Sequence, residues 1–130
     1  MKVRQVGATV VVIAALTLFI PVHSQTPITG LQISATRIDF GEAAVYSDSP
    51  PHPLTLTNPM KSNIAMEQII PSGIDFSQKN DCGQTLAPGG QCTIQVFFKP
   101  ATSGPRIGNL GLTASDPASP HFIALNGIGI

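Results

Sequence analysis

The sequence predicts an all-β sandwich, and three observations carry that prediction. Short runs of Val, Ile, Leu, Phe and Thr alternate with polar residues at a period of two, the pattern of half-buried strands. Turn formers separate the runs: Gly and Pro, at 12 each in 130 residues, stay below the roughly 25–30% that marks disorder and act as punctuation. Beyond residue 24 no long segment has helical periodicity. A chain of 130 residues is enough for one domain.

The elements can be placed in order. "LQISATRIDFG" (31–41) predicts a first strand in two pieces, with Ile38 and Phe40 facing inward. "PLTLTNP" (53–59) sets Leu54 and Leu56 against Thr55 and Thr57. "NIAMEQII" (63–70) turns Ile64 and Met66 inward and then Ile69, a change of parity that predicts a bulge. "IDFSQ" (74–78) is a short fourth piece. "CTIQVFFKP" (92–100) is the clearest strand, with Ile94, Val96 and Phe98 on one face. "RIGNLGLTA" (106–114) directs Leu110 and Leu112 inward, and "HFIALNGIG" (121–129) does so with Ile123 and Leu125. Seven strands fit a sandwich. The prolines of "PPHP" (50–53) and "SDPASP" (115–120) lack the amide hydrogen a ladder needs, which puts those stretches in turns or at edges.

The first residues stand apart. "MKVRQ" is basic, "VGATVVVIAALTLFI" is an uncharged apolar run of 15, and Val22 and Ser24 occupy the −3 and −1 positions before Gln25. That is the layout of a secretory signal peptide over residues 1–24. The run is shorter than the roughly 20 residues of a spanning helix and ends at Pro21, so no membrane span is expected after cleavage. Residues 25–32 then form an N-terminal extension, and 33–130 the sandwich. Without Lys2 and Arg4, five basic groups face seven acidic ones. No basic field remains to hold a phosphate backbone, which argues against a nucleic-acid partner.

Cys82 and Cys92, the two cysteines of the chain, enclose a Pro-Gly-Gly turn in "CGQTLAPGGQC". A redox centre would want Cys-x-x-Cys near a helix start, and structural zinc would want four ligands. His52 and His121 are not at ligand spacing from either cysteine and, flanked by prolines, read as solvated turn residues. An exported chain meets oxidising conditions in which lone cysteines pair. The turn brings them together, and the expectation is a Cys82–Cys92 disulfide.

The order "SATRIDFG … LTLTNP … IDFSQKNDCGQTLAPGGQCTIQVFFKPATSGPRIGNLGLTA … ALNGIG" resembles the ASH domain (abnormal spindle, hydin and relatives), in the bacterial form often called choice-of-anchor D. The likeness spans about residues 33–129 and is most specific at Phe76, Cys82, Leu86, Pro88, Gly89, Cys92, Phe98, Pro100 and Gly104, with the closing Asn-Gly-x-Gly at 126–129. It implies an immunoglobulin-like seven-stranded sandwich, related to major sperm protein and pilus chaperones, and a scaffolding or interaction role without catalytic residues. Here the first hairpin turns through Asn58-Pro59-Met60, where the family usually has Asn-Thr-Gly.

Nothing in the residues adds an enzyme. The acids Asp39, Glu42, Asp48, Glu67, Asp75, Asp81 and Asp116 are scattered, and no nucleophile elbow, phosphate loop or calcium loop is present. No cofactor and no metal are expected. The outward faces are more informative. With Leu110 and Leu112 inside, Ile107 faces out; with Ile123 and Leu125 inside, Phe122 faces out. Pairing Leu110 with Leu125 places Ile107 opposite Ile128, and Phe97 points away from its own core row. Ile107, Phe122, Ile128 and Phe97 are therefore the candidate interaction residues, for a protein partner or for self-association. Strand addition at an open sheet edge is a further route. The expected role is an exported, non-enzymatic structural or interaction module, secreted or in the periplasm and cell envelope of a bacterium. The alternative is a periplasmic chaperone-like carrier.

Overall fold

Each alternating run becomes a strand, and the side chains expected inside are the ones that close the core. The computed structural model describes residues 30–130; the expected signal peptide (1–24) and most of the expected extension (25–32) lie outside the described residues. The strands are β1 (Gln32–Ile33), β2 (Arg37–Ala43), β3 (His52–Thr57), β4 (Ile64–Pro71), β5 (Phe76–Asn80), β6 (Thr85–Leu86), β7 (Gln91–Phe98), β8 (Gly104–Ala114) and β9 (His121–Gly129). Among the described residues there is no helix. Two of these nine strands hold just two residues each, and the seven longer ones answer to the seven alternating runs.

The strands form a four-stranded sheet in the order β1-β3-β7-β5 and a five-stranded sheet in the order β2-β9-β8-β4-β6. The run over 31–41 does split in two: β1 pairs with β3, the chain changes sheets, and β2 runs parallel to β9. All other pairings are antiparallel. The bulge expected in 63–70 falls between Met66 and Gln68, and a second lies between Asp39 and Glu42 in β2.

Leu54, Leu56, Ile94, Val96 and Phe98 of one sheet pack on Ile38, Ile64, Met66, Leu110, Leu112, Ile123 and Leu125 of the other. Burying such side chains contributes roughly 1.5–3 kcal/mol each. Phe40, Phe76 and Phe98 form an aromatic cluster with ring centroids 5.2–6.0 Å apart. Phe98 fits only because Gly127 on β9 carries no side chain: a Cβ there would lie inside the Phe98 ring's contact distance.

Cys82 and Cys92 are disulfide-bonded, buried, with Cα atoms 4.9 Å apart. The segment between them leaves β5, crosses to the other sheet as β6, and returns as β7. The bond thus closes the base of that excursion within the four-stranded sheet, joining the end of β5 to the start of β7. Cys82→Ser/Cys92→Ser should lower stability by about 2–3 kcal/mol by the chain-entropy relation. Urea denaturation with and without reductant measures this, and reduction of the parent chain should reproduce the shift.

Buried polar groups anchor the turns. Asn58, fully buried, donates from Nδ2 to the Ser62 and Leu86 carbonyls at 2.8 Å each, and its Oδ1 accepts from Met60 N–H at 2.9 Å. Asp75 accepts from Arg106 Nε at 2.9 Å and from Ala101 N–H at 2.8 Å, fastening the start of β5 to β8. His52 and His121, expected in solvated turns, both begin strands: His52 is exposed as expected, whereas His121 is half-buried. His52 stands edge-on to Phe40, centroids 5.2 Å apart. His121 Nε2 lies 2.9 Å from Asp116 Oδ2, which also accepts from Leu31 N–H at 3.1 Å. The physical reason is Asp116: the turn buries its carboxylate, and buried carboxylates draw in donors.

Candidate interaction face

Alternation along β8 and β9 sends every second side chain out of the five-stranded sheet. On β9 the outward column is Phe122, Ala124, Asn126 and Ile128, and Ile130 continues it past the strand end. On β8 the outward residues include Pro105, Ile107, Asn109 and Gly111. Ile107 is 74% exposed, Phe122 64% and Ile128 43%. β2 flanks the column on one side with Arg37 beside Ala124, Asp39 beside Asn126 and Glu42 beside Ile128.

The register differs from the expected one by two residues. Leu110 pairs with Ile123, not Leu125, so Ile107 faces Asn126 and Ile128 faces Pro105. A two-residue shift leaves every side chain on its own face, and alternation alone therefore cannot choose between the registers. The turn chooses. Ser119 Oγ accepts from Ala114 N–H at 2.9 Å and Ser119 N–H donates to Asp116 O at 3.2 Å, which closes the connection early.

Phe97 does not join this face. It lies on β7 in the four-stranded sheet, half-buried and opposite Ser77. Its surroundings there are polar, since Thr55, Thr57, Thr93 and Gln95 belong to the same outward set. The five-stranded face gains residues that sequence reading missed. Ile70 on β4 is exposed and shares a rung with Gly111 and Phe122. The Phe122 ring lies over Gly111, its nearest carbon 3.6 Å from where a Gly111 Cβ would stand. Placing Ile69 inward implies that Ile70 faces outward, so the signal was available once the bulge was accepted.

The rest of the described surface offers little chemistry. Asp81, Cys82 and Cys92 are close enough to share a metal ion, but their sulfurs are bonded to each other and are not thiolates. The clefts are shallow: one of about 440 Å³ is lined by Gln32, Ile33, Ser34, Thr55 and Thr57, which present no acid or base, and one of about 240 Å³ lies among Lys79, Asn80, Asp81, Thr93 and Gln95. Among the described residues no helix is long and apolar enough to cross a membrane.

Two facing sheets of this order, seven long strands and a parallel first-to-last pairing define an immunoglobulin-like β-sandwich. Residues 30–128 match the HYDIN/CFA65/VesB-like Ig-like domain family, and the chain belongs to that family. Solved structures share the fold. A protein of unknown function from Porphyromonas gingivalis W83 aligns at TM-score 0.68 and 12% identity, over 95% of this chain and 54% of its own length. The ASH/PapD-like domain 7 of human CEP192 aligns at TM-score 0.60 and 16% identity, over 89% of this chain and 96% of that domain. The secreted serine protease VesC from Vibrio cholerae aligns at TM-score 0.59 and 20% identity, over 78% of this chain and 23% of the protease. The chain thus spans about half of the first protein and under a quarter of the protease. No curated protein matches it by sequence.

Proposed function

We propose that this domain is an exported, non-enzymatic interaction module of the bacterial envelope, which engages its partner through the outer face of the five-stranded sheet. The observation that carries the reading is the exposure of Ile107, Phe122 and Ile128 on two adjacent strands, with Ile70 beside them. Apolar groups massed on one face favour a protein partner over solvent. The buried disulfide and the likeness to a secreted protein support export.

The sheet edges support the face over strand addition, and with it the module over the carrier. β2 is bulged and carries Arg37, Asp39 and Glu42; β5 presents Lys79; β1 and β6 are two residues long. These are the devices that blunt an edge against an added strand.

A photo-crosslinking residue placed at Phe122 or Ile107, in cells of the native organism, tests the reading. Discrete crosslinked products are expected from these positions in the envelope fraction, and none from Phe97. Crosslinking from Phe97 alone, or from no position, would overturn it.

A further inference from the structure

We infer that the partner for this face is a second copy of the same chain, related by a two-fold axis that lies in the interface and crosses the strands at Asn126. The inference rests on the interaction reading above and makes it specific. Two independent features of the register point to it.

The first is the β9 column. Asn126 stands midway between Ala124 and Ile128, and midway between Phe122 and Ile130. A two-fold axis at Asn126 lays the column antiparallel on its copy. Phe122 then meets the partner's Ile130, and Ala124 meets the partner's Ile128. Asn126 meets the partner's Asn126, and an amide carries both the donor and the acceptor that a self-pair needs. Ile107 shares the Asn126 rung and falls against its own copy. An isologous interface requires this kind of self-matching.

The second is the charge on the flank. Arg37 sits level with Ala124 and Glu42 level with Ile128, so the same axis carries Arg37 over the partner's Glu42 and Glu42 over the partner's Arg37. Both are exposed, and neither is in an ion pair among the described residues. Facing sheets lie about 10 Å apart, a gap that an extended Arg and Glu bridge together. Asp39 shares the Asn126 rung and falls against its own copy; its carboxylate is turned back onto Gly41 N–H at 3.1 Å, and the like-charge pair at the axis weakens the dimer. The three strands that overlap their copies about this axis, β2, β9 and β8, present roughly 350 Å² over about 25 Å, well short of the ~800 Å² per partner of a standard interface. The dimer is therefore a weak one.

Sedimentation of the purified full chain at micromolar concentrations, alone and as variants, tests this. The parent chain should show a monomer–dimer equilibrium. Arg37→Glu and Glu42→Arg, each alone, set like charges in register twice per dimer and should weaken association at least tenfold. An equimolar mixture of the two variants should dimerise like the parent, because both cross-pairs are again opposite in sign. Circular dichroism confirms that each variant is folded. A parent chain that stays monomeric overturns the inference, as does a dimer that ignores both variants or a mixture that fails to recover. A monomeric chain that still crosslinks an envelope protein from Phe122 rejects the second copy and leaves the interaction reading standing; a monomer with no crosslinks removes both.

Discussion

Gly127→Val is expected to destabilise the sandwich by about 4 kcal/mol, out of a total of roughly 5–10 kcal/mol for a domain of this size. Position 127 is an inward site on β9, and the Phe98 ring already fills the space where a side chain would begin. Phe98 cannot withdraw, because Phe40 and Phe76 hold it at 5.5 and 5.2 Å between centroids. Even Gly127→Ala should cost about 2–3 kcal/mol. The cause is separable by a double-mutant cycle in urea denaturation. Gly127→Ala combined with Phe98→Leu should lose less than the sum of the two single changes, by about 1–2 kcal/mol. Strict additivity would show that the glycine is not there to admit the ring.

Asn58→Ala should cost about 3–4 kcal/mol. The change removes three hydrogen bonds and leaves the Met60 N–H and the Leu86 carbonyl without their side-chain partner at a residue that is itself fully buried. A second effect adds to the loss: Asn58 backbone groups also exchange hydrogen bonds with Gly89 and Gly90, so the same residue supports the turn before Cys92. Asn58→Asp should be no better, since it keeps the acceptor for Met60 but points a carboxylate at two carbonyls. Denaturation midpoints for the two variants decide this. A loss below about 1 kcal/mol for alanine would mean that the three bonds are replaced by water.

What could be read in advance follows from the range of each signal. Alternation is local, so Leu54, Leu56, Ile94, Val96, Phe98, Leu110, Leu112, Ile123 and Leu125 are legible as core from their own neighbours alone, and all are buried. The Ile64–Met66–Ile69 break in parity exposed the bulge for the same reason. Register is not local. The shift of Leu110 from Leu125 to Ile123 depends on how Ser119 and Asp116 fold a turn, which no strand sequence encodes. Asn58 looked like an ordinary turn residue, because its partners Ser62 and Leu86 lie on segments that only the fold brings together. His121 likewise reads as a solvated turn residue, because its carboxylate neighbour sits in a proline-rich stretch. In the candidate face, the outward parity of Ile107, Phe122 and Ile128 was readable, whereas their spacing and the place of Ile70 waited on the pairing.

The parallel alignment of β2 with β9 has a mechanical consequence. Gly30 lies beside the β8–β9 turn, where Asp116 holds Leu31 N–H, while Ile130 is fixed at the far pole by hydrogen bonds with Ala43 and Val45. The two positions are therefore separated by the length of β9, roughly 30 Å. Tension between them does not peel this pair open rung by rung. It slides one strand along the other and loads the contacts from Arg37–Ala124 to Ala43–Gly129 together, so the domain resists stretching in the direction along which it would be pulled.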